Sequence, residues 1–146
     1  METTDRVMHQ LYQTTRIISK SVNKMLESHG LFSSEWTIIK VIKERGSMSQ
    51  ATLANYLNIE PAAISKSLFK LEKKGIVERR AGSDKREKAV FLTEAALQQY
   101  PIWQDVVARN RKQVFNELSA EDQNQLYMLL KAIFRSAKHE SPPDEE

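Results

Sequence analysis

Apolar residues recur through the first thirty positions at steps of three and four: Val7, Met8, Leu11, Ile18, Val22, Met25 and Leu26, with Gly30 closing the run. This is the period of a helix with one buried side, and it predicts a helix from Asp5 to His29. Ser33 and Ser34 then offer an N-cap with Glu35 in the first turn, and Trp36, Ile39, Val41 and Ile42 give a second helix its apolar side before Gly46. Ser49 caps a shorter helix, Gln50 to Leu57, on which Leu53, Ala54 and Leu57 share a face. Pro61 stands where a first helical residue needs no N–H, and Gly75 stands where the next helix must stop.

After Gly75 the period changes. Ile76 to Arg80 and Lys88 to Leu92 are β-branched or apolar runs, separated by the turn-forming polar stretch 81–87. They predict a two-stranded hairpin with a cationic tip. Thr93 caps a helix running to Leu118, which Pro101 is expected to kink or split. Ser119 with Asp122 resembles a capping box and starts a last amphipathic helix through Leu126, Leu129, Leu130, Ile133, Phe134 and Ala137. Residues 140–146, with Pro142, Pro143 and four acids, read as a flexible acidic tail.

The element order is therefore helix, turn, helix and hairpin between helical ends: a mainly α fold with a small β wing, of the winged helix-turn-helix class. The expected organisation is a winged domain over 33–93 and a helical region for dimerisation over 1–32 and 94–139. A winged domain can bury its own stripes, whereas the first and last helices carry apolar faces with little else to cover them. Such faces usually find a second copy of the chain, so a homodimer is expected on a pseudo-palindromic site.

Charge sharpens the picture. The whole chain carries only +3, yet Pro61 to Leu92 holds nine Lys and Arg against four acids, so +5 lies there and −2 elsewhere. A local basic patch points to a polyanion more strongly than overall charge does. On the Pro61 to Lys74 helix, Ile64, Leu68 and Leu71 form the core stripe, and the opposite side carries Ala62, Lys66, Phe69, Lys70 and Lys73. Lysines on one helix are by themselves an ordinary solvated face. Here they stand beside a hairpin bearing Arg79, Arg80, Lys85, Arg86 and Lys88, which folding does not require. A helix fits the major groove of B-DNA and a cationic ribbon beside it reaches phosphates or the minor groove, so double-stranded DNA is the expected partner. An alternative is an interaction module that docks an acidic protein or binds DNA without reading sequence.

Several motifs together carry a family resemblance: Leu31 to Trp36, Ser49 to Ala54, Leu71 to Val77, and Asp84-Lys85-Arg86 followed by Val90 to Thr93. In order and spacing they resemble the multiple-antibiotic-resistance regulator (MarR) family over nearly the whole chain. The resemblance implies a homodimer with intertwined terminal helices, a DNA-binding site that includes Ser49, Gln50, Ala62, Ala63, Ser65 and the cations above, and a repressor of transcription. It also implies release from DNA by a small phenolic or anionic effector bound between the two lobes. The wing motif maps onto Asp84, which steadies the wing, and Arg86, which reaches the minor groove. One departure stands out: Ala62 and Ala63 occupy positions where the family often has hydroxyl or amide side chains. Alanine touches a thymine methyl but hydrogen-bonds no base edge, which leaves direct reading to Ser65, Lys66 and Lys70, with groove shape contributing.

Other chemistries find little support. With no cysteine there is neither a disulfide framework nor thiol chemistry. His9 and His29, twenty residues apart on one helix, would be roughly 30 Å apart and could not share an ion, so no metal is expected. No catalytic triad order, glycine-rich phosphate loop or carboxylate pair stands out, so neither an enzyme nor a cofactor is expected. Absence of a signal-type or membrane-spanning run predicts a cytoplasmic protein with no membrane partner. Tyr12, Phe32, Trp36 and Tyr56 are candidates for an aromatic effector-pocket wall, although aromatics at such spacing also serve as plain core.

Overall fold

Trp36, Ile38, Ile39, Val41 and Ile42 are all buried, so the second helix is wrapped by neighbours on most sides and the rest of the winged domain is built around it. The computed structural model describes residues 2–82 and 88–140. In chain order it has α1 (Thr3–Leu26), a 3-10 turn (Glu27–His29), α2 (Ser33–Arg45), β1 (Met48–Ser49), α3 (Gln50–Leu57), α4 (Pro61–Lys73), β2 (Val77–Ala81), β3 (Lys88–Leu92), α5 (Glu94–Val114) and α6 (Ala120–Glu140). The chain divides into two compact units, Met1–Asn110 and Arg111–Glu146.

In the first unit one core joins α1 through Val22 and Leu26, α3 through Leu53, α4 through Ile64, Leu68 and Leu71, the sheet through Val77, Val90 and Leu92, and α5 through Tyr100, Trp103 and Val107. The C-terminal turns of α1 and most of α5 thus share the core of the winged domain. Buried Asn110 donates to Ser21 Oγ at 2.7 Å, a polar tie between α5 and α1 inside otherwise apolar packing.

The wing is a three-stranded antiparallel sheet in the order β1-β3-β2, one strand more than the sequence suggested. The added β1 is two residues long, pairing Met48 with Val90 and Ser49 with Ala89, and so ties the entrance of α3 to the wing. Between β2 and β3 the register sets Val77 opposite Leu92, Arg79 opposite Val90 and Arg80 opposite Ala89.

Local signals account for most of the boundaries. Gly30 at φ +69° and Gly75 at φ +71° end the preceding helical segments in the left-handed region that favours glycine. Ser49 Oγ accepts from Thr52 N–H at 3.1 Å, and Thr93 Oγ1 accepts from Ala96 N–H at 3.1 Å. The N-cap of α2, however, is Phe32 rather than a serine, and Glu35 accepts from the Phe32 N–H at 3.0 Å to complete the half of a capping box that phenylalanine allows. Pro101 does not split its helix: α5 continues through it, with Leu97 and Pro101 both exposed so that water reaches the carbonyl that loses its donor. In the second unit the Ser119–Asp122 capping box forms as read, with reciprocal bonds of 3.1 and 3.2 Å, and α6 follows. Every α6 side chain described is exposed, the apolar stripe included. The acidic tail beyond Glu140, and Ser83 to Glu87 at the tip of the wing, lie outside the described residues.

Candidate nucleic-acid interface

Helix α4 presents its two sides as the sequence implied. Ile64, Leu68 and Leu71 are fully buried, whereas Ala62, Ala63, Ser65, Lys66, Phe69, Lys70 and Lys73 are exposed. None of Lys66, Lys70 and Lys73 has an ion-pair partner among the described residues. Two of them lie over rings: Lys70 Nζ is 6.0 Å from the centre of Phe32 and Lys73 Nζ 4.6 Å from that of Phe69. A helix face with three cations unpaired among the described residues, and no acid on its outermost line, suits a negatively charged ligand.

The strand cations divide by the pleat. Arg79 shares the face of Val77 and Val90 and turns back to α4, where it forms an ion pair with Glu72. Arg80 lies on the other face with Phe91, its guanidinium 4.2 Å from the ring centre and paired to Glu78 at 3.0 Å. Lys88 is exposed at the start of β3. Asp84, Lys85 and Arg86, predicted for the wing tip, lie outside the described residues. Ser49 and Gln50 are half-buried at the start of α3, and the Ser49 hydroxyl is engaged in capping.

A clasp that the sequence did not suggest fixes α4 against the α1–α2 junction. Glu35 is only 1% exposed, and its two carboxylate oxygens accept from Lys74 Nζ at 2.7 and 2.9 Å while Oε1 also accepts from the Phe32 N–H. Lys74 Nζ donates further to the Gly30 carbonyl at 2.8 Å. A carboxylate so deeply buried is retained only with such partners, so the cation at the end of α4 and the anion at the start of α2 hold each other in place.

With this geometry in hand, comparison with known proteins is decisive. The MarR family model matches residues 31–88, the span from the α1–α2 junction to the start of β3. An uncharacterized HTH-type transcriptional regulator of Bacillus subtilis, YwoH, is 40% identical over 94 residues, which cover 64% of this chain and 69% of that protein. The chain belongs to the MarR family of transcriptional regulators. A solved MarR/EmrR family transcriptional regulator from Acinetobacter sp. ADP1 is 26% identical, with 95% of this chain and 99% of that chain covered and a TM-score of 0.83. A mutant MarR from E. coli complexed with operator DNA shares the fold at a TM-score of 0.80 and 19% identity, with 91% of this chain and 99% of that chain covered.

In this MarR-family chain the four aromatics predicted for an effector site are dispersed. Trp36 is buried and stacked on Tyr100, ring centres 5.3 Å apart. Burial first, and Glu44 second, raise the Tyr100 hydroxyl above its ordinary pKa. Tyr12 is exposed on α1 beside Arg16, and the Tyr56 hydroxyl accepts from Arg45 at 3.0 Å. Phe32 alone of the four borders the two cavities described, each about 320 Å³. One of them runs between the start of α2 and α4 and is lined by Asn23, Ser33, Ser34, Lys66 and Lys70 as well as Phe32. Ser33 and Ser34, cap candidates by sequence, line this cavity with the lysines of α4, a juxtaposition that arises only when α2 and α4 are packed. Among the described residues no three His, Asp or Glu side chains are grouped to hold a metal ion, and no helix is long and apolar enough to cross a membrane.

Proposed function

We propose that this MarR-family regulator acts as a homodimer that binds double-stranded DNA sequence-specifically, with α4 of each copy in a major groove of a pseudo-palindromic operator, and that it represses transcription there. One observation carries the reading: Lys66, Lys70 and Lys73 stand exposed, and without ion pairs among the described residues, on the side of α4 opposite its core stripe. The operator complex of the E. coli relative supports it by similarity of fold. Dimerisation through the terminal helices is supported by the apolar side chains left exposed on them, including Val7, Met8 and Tyr12 on α1 and Leu129, Leu130, Ile133 and Phe134 on α6. The protein works in the cytoplasm, where its DNA is, and has no catalytic role. A small phenolic or anionic effector is assigned to the cleft at Phe32, which a ring, three serines and two lysines line beside the DNA-binding helix.

Selection of bound fragments from genomic DNA followed by nuclease footprinting tests this reading. Two protected half-sites centred about 10 bp apart are expected, from a species that sediments as a dimer. Protection without preferred sequence, or binding by single chains at equal affinity, would refute it.

A further inference from the structure

The outermost line of α4 is not uniformly cationic. At 100° per residue, Ala62, Lys66, Phe69 and Lys73 fall within about 60° of one another, directly opposite Ile64, Leu68 and Leu71. Along this line apolar and charged side chains alternate. Phe69 is 57% exposed and stands outside the hydrophobic core, so packing does not explain a phenylalanine there. Its one ring contact among the described residues is with Lys73, whose Nζ sits 4.6 Å from the ring centre and one helical turn further on. A large ring on the most outward line of a helix exposes apolar surface to water, a cost that contact with an apolar ligand group would remove.

We propose that Phe69, with Ala62, is a specificity-determining residue that reads thymine methyl groups in the major groove. This rests on the DNA-binding reading above and deepens it. Among the base edges of the major groove, the thymine C5-methyl is the apolar feature, and it is matched by alanine methyls and aromatic rings. Seven residues at 1.5 Å each place Ala62 and Phe69 about 10 Å apart along the helix axis, about three base steps at 3.4 Å each. The two apolar readers thus sample separate base pairs, while Lys66 and Lys73, interleaved with them, supply attraction to phosphates or guanines. Methyl contact also makes use of Ala62, one of the positions at which hydroxyl and amide readers are missing.

The test uses the full chain and a duplex recovered by in vitro selection from a randomised library, resynthesised with deoxyuridine in place of thymidine at one position at a time. Uracil pairs as thymine does and lacks only the methyl. At one or two positions per half-site the parent protein is expected to lose about three- to fivefold in affinity, the size set by burying one methyl. Phe69→Ala is expected to bind the thymine duplex more weakly and to be indifferent to deoxyuridine at the position the ring covers, and Phe69→Leu to restore part of the difference. Because the ring is exposed, both variants are expected to keep the parent's melting temperature, and the deoxyuridine scan of the parent chain needs no variant. Indifference of the parent to deoxyuridine at every position would overturn the proposal, as would a Phe69→Ala variant that keeps the full penalty at every position. If selection recovers no preferred duplex, the parent reading of sequence-specific binding falls and this inference falls with it.

Discussion

With Leu130→Glu and Ile133→Glu together, the protein is expected to sediment as a single chain and to lose at least about 100-fold of its affinity for a selected operator, the lower end of what linking two binding modules supplies. Both positions lie on the apolar stripe of α6, where Leu130 is 39% and Ile133 42% exposed in the single chain. In the proposed dimer this stripe is covered, so two carboxylates there would be buried without partners, which association cannot tolerate. The core that positions α4 lies within Met1–Asn110, so the variant is expected to keep the helical circular dichroism of the winged domain. Sedimentation velocity and fluorescence anisotropy on the same preparation read both consequences. A dimer that survives the two charges would exclude α6 from the interface, and a single chain that binds as tightly as the parent would refute the need for two copies on the operator.

Lys74→Met is expected to lower the unfolding free energy by about 2–3 kcal/mol, somewhat under the usual cost of stripping a partner from a buried charge because the Lys74 side chain is itself 33% exposed. The variant leaves the Glu35 carboxylate buried with the Phe32 N–H as its remaining partner from the clasp, and it frees the Gly30 carbonyl. For a unit of this size the melting temperature falls by roughly 10 °C. Adding Glu35→Leu is expected to recover much of the loss, since a buried pair replaced by apolar side chains is often neutral while half a pair is not. Thermal and urea unfolding at one fixed protein concentration check this, with the double variant closing the cycle. Equal stability of Lys74→Met and the parent would mean that the clasp contributes nothing to holding α4.

What could be read from the sequence was whatever depends on near neighbours. Helix α4 was delimited by Pro61 and Gly75, α3 by Ser49, and α6 by the Ser119–Asp122 pair, because each signal acts within one turn of the residue that carries it. The division of α4 into a core stripe and a cationic side follows from the helical period alone, and the structure keeps it. Illegible features were those closed over distance. Glu35 and Lys74 are 39 positions apart, and the carboxylate looked like an ordinary first-turn acid. Two residues, Met48 and Ser49, are too short a run to carry a strand period, so β1 shows only once β3 pairs with it. Arg79 and Arg80 read alike as wing cations, yet the alternation of the strand sends one toward Glu72 and the other onto Phe91. Trp36 was a candidate pocket wall by spacing and proves to be core, stacked on a tyrosine 64 positions away.

The claim on which the rest depends is that the lysines of α4 face DNA phosphates and bases, and salt exposes it directly. Affinity of the parent chain and of the Lys66→Ala, Lys70→Ala, Lys73→Ala triple variant for one selected duplex is to be measured from 50 to 200 mM salt. Each neutralised phosphate adds about 0.9 to the steepness of log K against log salt. Two copies with three lysines each should therefore give the parent a slope of about −5 or steeper, and the triple variant one flatter by about 5. Parallel slopes for the two proteins would contradict the assignment of α4 to the DNA.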